Sequence, residues 1–174
     1  MIEVHPVTPE RWPDMVELFE RKGPRGGSRN TPAYGCWCMY WRDRDLEHGE
    51  PKKRAMAKLV RDGREPGLLA YDDGSPVGWV SVAPREEFTA ICNSPQYGPR
   101  DDDEGIWSIV CFVVDKPARG RGIAAALLGA AVEAYPRVTD PRDYMGGTEL
   151  YANAGFTTVR DANKRVVVRH DRSR

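Results

Sequence analysis

The chain has 174 residues, enough to bury one hydrophobic core and too few to invite a second. Its 26 basic residues are balanced by 26 acidic ones, so the cationic excess that favours nucleic acid or anionic lipid is missing. No stretch approaches roughly 18 consecutive apolar residues and the N-terminus lacks a secretory pattern, so a cytoplasmic protein with no membrane and no nucleic-acid partner is expected.

Ile2 to Val7 reads as a first strand. Thr8-Pro9-Glu10 opens a helix, with proline at the position where its missing N–H costs least. Trp12, Met15, Val16 and Phe19 recur at helical spacing and carry that helix to about Arg21. A polar loop rich in glycine and proline follows, leading into the aromatic cluster Tyr34, Trp37, Tyr40 and Trp41. Pro51 to Arg61 reads as a second helix, stopped by Gly63. Leu68 to Tyr71 and Pro76 to Val82 read as two strands joined through Asp72-Asp73-Gly74-Ser75, a strong hairpin signal.

Pro84 to Gly105 is expected to be a long loop with an acidic end, Asp101-Asp102-Asp103-Glu104. Ile106 to Val114 is a mostly apolar run of strand length, read as a central strand buried on both faces. After Gly122 a helix presents Ile123, Ala126 and Leu127 to the sheet and runs toward Val132. The return to the sheet is short for a crossover. Either the helix stops near Ala130 and Val132 to Tyr135 is a short strand, or the strand lies around Val138. Phe156 to Val159 and Arg165 to His170 form a closing hairpin. No repeat or linker divides the chain, so residues 1–174 are read as a single domain.

Four cysteines, Cys36, Cys38, Cys92 and Cys111, raise the question of a disulfide or a metal. A disulfide framework does not suit a cytoplasmic chain of this size. Cys36 and Cys38 have one residue between them, whereas structural zinc sites usually have two to four, and the histidines are scattered. No metal is expected. A thiol-redox role for Cys36 and Cys38 stands as a weaker reading.

The richest stretch is Val113-Val114-Asp115-Lys116-Pro117-Ala118-Arg119-Gly120-Arg121-Gly122-Ile123-Ala124. A strand meets a glycine-rich cationic turn and a helix begins at once. Backbone N–H groups at a helix start and the helix dipole suit a pyrophosphate. Gly120 and Gly122 allow close approach of the backbone, and Arg119 and Arg121 add charge. No Gly-Lys-Ser/Thr follows, so it is not a Walker loop, and its late position makes it a poor dinucleotide fingerprint.

Arg119-Gly120-Arg121-Gly122-Ile123-Ala124 resembles the R/Q-x-x-G-x-G/A signature of the GNAT superfamily of acyl-CoA-dependent N-acetyltransferases. Leu150-Tyr151-Ala152-Asn153-Ala154-Gly155-Phe156 resembles a second segment of that family, in the right order. The resemblance implies an α/β (α+β) fold with a mixed, mostly antiparallel central sheet flanked by helices. It implies that acyl-CoA binds at a splay between the fourth and fifth strands. Residues Arg119 to Ala124 then hold the pyrophosphate, and the backbone of Phe112, Val113 and Val114 meets the pantetheine arm. Tyr151 stands where the family often carries its acid tyrosine, with Tyr144 a weaker alternate. A phenol, with pKa about 10, is protonated at neutral pH and can donate to a leaving thiolate.

Deprotonating an amine needs a base, for which Glu104 is the first candidate and Asp103 the second, beside solvent water. Tyr34, Trp37, Tyr40 and Trp41 are candidates to line the acceptor site, where aromatic faces could cup an organic cation; a satellite core under a long loop is the competing reading. The expected function is acetyl transfer from acetyl-CoA, a co-substrate, to a primary amine of a small molecule or peptide. The alternative is a non-catalytic acyl-CoA sensor or interaction module. Monomer and homodimer both stay open.

Overall fold

The computed structural model describes residues 2–22, 35–98, 106–128, 133–134, 148–162 and 165–169. The chain begins with β1 (Ile2–Pro6), then a 3₁₀ turn (Pro9–Arg11) that runs into α1 (Trp12–Glu20). α2 (Glu50–Arg61) follows, then β2 (Gly67–Asp72) and β3 (Ser75–Pro84). A 3₁₀ turn (Arg85–Glu87) and a single-turn α3 (Thr89–Cys92) lead to β4 (Trp107–Val114). The glycine-rich turn opens α4 (Ile123–Leu127), followed by β5 (Glu133–Ala134), α5 (Thr148–Asn153), β6 (Thr157–Ala162) and β7 (Arg165–Arg169).

Among the described residues the strands form one sheet in the order β1-β2-β3-β4-β5-β7-β6. Every neighbouring pair is antiparallel except β4 and β5, which run parallel through Ser108↔Glu133 and Ile109↔Ala134. The mixed, mostly antiparallel sheet with flanking helices is therefore as the sequence implies. The β2–β3 turn has Asp73 at φ 47° and Gly74 at φ 77°, with Asp72 paired to Ser75. Positive φ at both central residues matches the right-handed twist of the hairpin strands.

Of the two crossover alternatives, the structure has the early one. α4 ends at Leu127, with the Leu128 N–H bonded to the Ala125 carbonyl, and β5 begins at Glu133. The long continuous helix is not formed, and Gly129, a residue type that terminates helices, follows Leu128 directly. The helix face also differs from the expected one. Ile123 and Leu127, at i and i+4, are buried with Leu128, whereas Ala126 points to solvent. The expected loop from Pro84 to Gly105 likewise contains α3, whose single turn has too few residues to show a period.

The sheet is covered on both faces. On one, Val80, Ile109 and Phe112 meet Ile123 and Leu127 of α4 and Tyr151 of α5. On the other, Leu69, Trp79 and Val113 meet Met15, Leu18 and Phe19 of α1 and Met56 and Val60 of α2. Alternate residues of β4 thus enter opposite cores, which explains its apolar sequence. α4 lies so close to β3 that a Cβ at Gly78 would stand 2.5 Å from Ile123 Cγ2. A third cluster, Ala83, Phe88, Ile91, Tyr97 and Val110, sits under the β3–α3 turn with Trp41 against it.

A charge network fastens residues 35–49 to that turn. Arg42, with a side chain 5% exposed, donates to Glu87 at 2.6 Å and to the Pro66 carbonyl at 3.3 Å, and its guanidinium lies 4.5 Å from the centre of the Phe88 ring. Arg64 reaches the other Glu87 oxygen at 2.5 Å. Burial alone raises the Glu87 pKa, but hydrogen bonds from Arg64 and Arg42 outweigh it and hold the carboxyl below its ordinary value. A carboxylate with a depressed folded-state pKa gives stability that is full above its unfolded pKa and lost as pH falls through the folded one. Glu87→Gln should therefore cost about 3–5 kcal/mol at neutral pH, because Arg42 stays buried without its acid. Urea denaturation against pH checks this. The wild type should lose stability below about pH 4.3, the ordinary glutamate value, and the variant should show a shallower acid limb.

Candidate active site

The end of β4 is anchored before the glycine turn begins. Asp115 is buried, its N–H donates to the Val77 carbonyl at 2.9 Å, and its carboxylate accepts from Arg21 at 2.7 Å. The 3₁₀ turn Lys116–Ala118 closes on the Asp115 carbonyl through the Ala118 N–H at 2.9 Å. Gly120 and Gly122 then take φ of 77° and 80°. A Cβ at either would meet no atom within 4 Å. The glycines are thus required by backbone conformation, and the space over them is open.

α4 starts from Gly122 with no side-chain cap. The Ala126 N–H bonds to the Gly122 carbonyl at 3.0 Å, so the N–H groups of Ile123, Ala124 and Ala125 have no acceptor inside the helix. Open space beside the glycines, their left-handed backbone and an uncapped helix start together suit an anionic group. The two arginines are already engaged. Arg121 pairs with Asp72 of the β2–β3 hairpin at 2.5 Å, and Arg119 Nε donates to the Val114 carbonyl at 3.2 Å. Arg121 therefore offers less charge to a ligand than the sequence suggests, and the turn is braced from both sides.

Among the described residues β4 meets β5 at Ser108 and Ile109. From Val110 to Val114, no strand among the described residues pairs with its far edge. The Asp115 N–H points to β3, and the strand alternates, so Val113 also points to β3 while Phe112 and Val114 direct their N–H and C=O groups to the free side. The Arg119 bond to the Val114 carbonyl agrees with that direction. Directly after Ile109, β4 carries a bulge. Ser81 pairs with Cys111 and Val82 with Ile109, leaving Val110 as the extra residue. The sequence carried no sign of this bulge.

Tyr151 is fully buried on α5, its ring 6.3 Å from Phe112 and 5.3 Å from Phe156, both edge-on. It thus packs against the strand residue whose backbone faces the free edge. The backbone turns at this point, since the Phe156 N–H donates to the Tyr151 carbonyl at 3.0 Å.

The aromatic cluster divides. Trp37 is fully buried between Trp12 and Phe19, at ring distances of 5.8 and 5.0 Å, with Lys53 Nζ 5.3 Å from its ring. It belongs to the core, where its large apolar surface is removed from water, and it does not line an acceptor site. Tyr40 is 43% exposed and meets Trp41 edge-on at 5.0 Å. Trp41 in turn packs on Tyr97 at 6.0 Å and on the cluster holding Val110. Trp41 therefore packs on the cluster of the bulged residue with Tyr40 against it, and the Arg44 guanidinium lies over both rings, a contact the sequence does not announce although the three residues are close in the chain. Tyr34, Asp103, Glu104 and Tyr144 lie outside the described residues.

Among the described residues, no group of three or more His, Cys, Asp or Glu is placed to hold a metal. All four cysteines are free thiols. Burial pushes the Cys36 thiol up, and pushes Cys38 well up beside Cys111, which leaves little thiolate at neutral pH. Cys38 Sγ accepts from Trp79 Nε1 at 3.2 Å, which is a packing role. Among the described residues no helix is long and apolar enough to cross a membrane.

Comparison with solved structures finds the same architecture elsewhere. A GNAT-family acetyltransferase from Streptococcus agalactiae superposes with a TM-score of 0.57 at 14% identity, over 99% of this chain and 96% of that one. An N-acetyltransferase from Staphylococcus aureus Mu50 gives 0.55 at 15% identity, over 95% and 97%. The PaiA N-acetyltransferase from Thermoplasma acidophilum, solved in complex with coenzyme A, gives 0.51 at 12% identity, over 98% and 99%. At such identities the likeness is one of fold. No curated protein matches the sequence. The sequence profile described as the acetyltransferase (GNAT) family matches residues 29–142, which span the free edge of β4 and the glycine turn. The chain therefore belongs to the GNAT family of acetyltransferases, which transfer acyl groups from acyl-CoA.

Proposed function

We propose that this protein is an N-acetyltransferase that moves an acetyl group from acetyl-CoA to a primary amine of a small molecule or peptide, by direct attack in a ternary complex. The observation that carries this reading is the edge of β4 from Val110 to Val114, which no strand among the described residues pairs with and which runs straight into an open, uncapped glycine turn. That is one continuous surface for an extended arm ending in a pyrophosphate.

In this reading the N–H groups at the start of α4 hold the pyrophosphate, and Arg119 braces the turn. Phe112 and Val114 accept the pantetheine amides as an added strand, with Val113 between them facing β3. The Val110 bulge aims a backbone N–H at the thioester carbonyl, where a fixed dipole stabilises the charge that develops on oxygen. An alkylamine with pKa near 10.4 must lose a proton before it attacks. Glu104, two positions ahead of Ile106, takes that proton, with Asp103 as its neighbour. The carbon–nitrogen bond forms, the carbon–sulfur bond breaks, and Tyr151 donates its phenolic proton to the departing thiolate. Tyr40 and Trp41 wall the acceptor side. No metal takes part.

Gly122→Asn tests the cradle. Asparagine tolerates the left-handed region, and in the free protein its Cβ meets nothing, so the fold should survive. CoA affinity by calorimetry should fall several-fold; unchanged affinity in a folded variant would remove the turn from the binding site. Tyr151→Phe tests the acid. Turnover should fall roughly 10²-fold while acetyl-CoA affinity barely moves, since the lost interaction acts in the transition state. Near-native turnover would return Tyr151 to a packing role.

A further inference from the structure

Arg44 differs from the other arginines around the site. Arg21, Arg42, Arg64 and Arg121 each meet a carboxylate, and Arg119 and Arg85 meet backbone carbonyls. Among the described residues Arg44 has no such partner. Its guanidinium instead lies 4.9 Å from the centre of the Tyr40 ring and 5.2 Å from that of Trp41. A guanidinium over aromatic rings is attracted by their faces and keeps N–H donors with which to meet an anion. Arg44 itself is exposed.

The platform beneath it is rigid. Trp41 is pinned by its carbonyl, which accepts from the Ala90 N–H at 3.0 Å, and the next residue's carbonyl accepts from Thr89 Oγ1 at 2.6 Å. Trp41 also packs on the cluster that contains Val110, the bulged residue of β4. A cation with no carboxylate partner among the described residues therefore lies over an aromatic pair that is packed against the cluster of the bulged residue. The cation on the aromatic faces is the protein's own, so an organic cation from the substrate would face repulsion there.

We infer that Arg44, held on Tyr40 and Trp41, binds a carboxylate of the acceptor, so that the substrate is a primary amine that also carries a carboxylate, such as an amino acid or an acidic peptide. The inference rests on the transferase reading for the identity of the amine, and on the geometry alone for the carboxylate. A planar fork of donors meets a carboxylate through two parallel bonds, which fixes both position and orientation. The amine then has one remaining freedom, its reach toward the bulge.

The test uses the CoA-loaded protein and matched pairs of an amino acid and its decarboxylated amine, with aliphatic, aromatic and basic side chains. Short peptides with one acidic residue and their amide counterparts form a second arm. Calorimetry should show at least one pair in which the carboxylate form binds about tenfold tighter or more, the range for a charge-assisted bidentate contact. In Arg44→Gln that preference should vanish while the carboxylate-free partner binds as before, and in Arg44→Glu it should reverse. Equal binding within every pair, or a preference that survives in Arg44→Gln, overturns the inference. Turnover measured on the same pairs separates the two claims. Arg44-dependent binding without transfer to any amine leaves the carboxylate site standing and removes the acetyltransferase reading.

Discussion

The structure depends on how the two sides of β4 are used. Among the described residues β5 pairs with β4 at Ser108 and Ile109. A central strand normally satisfies its backbone on both sides, because an unpaired polar group away from water is costly. Here β4 keeps one side bonded to β3 as far as Asp115, and from Val110 to Val114 no strand among the described residues pairs with the other side. Such an edge is an invitation to an extended chain of amides, and the pantetheine arm is one.

What surrounds the edge serves to hold it still. Val113 and Phe112 are buried in opposite cores, so β4 cannot roll. The Arg21–Asp115 pair fixes where the strand ends, and the Arg121–Asp72 pair fixes the turn against the hairpin. α4 sits on Gly78, close enough that any side chain there would push against Ile123. The start of α4 is thereby set by contacts behind it, and the side facing solvent is left bare. A site built this way requires little reorganisation when its ligand arrives.

Local features were legible in the sequence and distant ones were not. The Asp73-Gly74 turn, the apolar run of β4 and the glycine turn each follow from residues adjacent in the chain, and each stands where the sequence put it. The aromatic cluster was visible as composition, yet its division into a buried Trp37 and a surface pair required the tertiary fold. The Arg21–Asp115 pair joins residues 94 positions apart, which no window along the chain detects. The Val110 bulge is a matter of register between two strands and leaves no mark on side-chain chemistry. Arg44 is one of many arginines in the sequence, and its place over Tyr40 and Trp41 shows only in the folded chain.

Amide hydrogen exchange at β4 tests the central claim most directly, since each amide reports on one side of one strand. The Phe112 and Val114 amides face the free edge, whereas those of Val113 and Asp115 already bond to β3. If CoA adds itself as a strand, saturating CoA should slow exchange at Phe112 and Val114 by an order of magnitude or more, with Val113 and Asp115 little changed. Saturation with CoA that leaves Phe112 and Val114 exchanging as in the free protein would contradict the account.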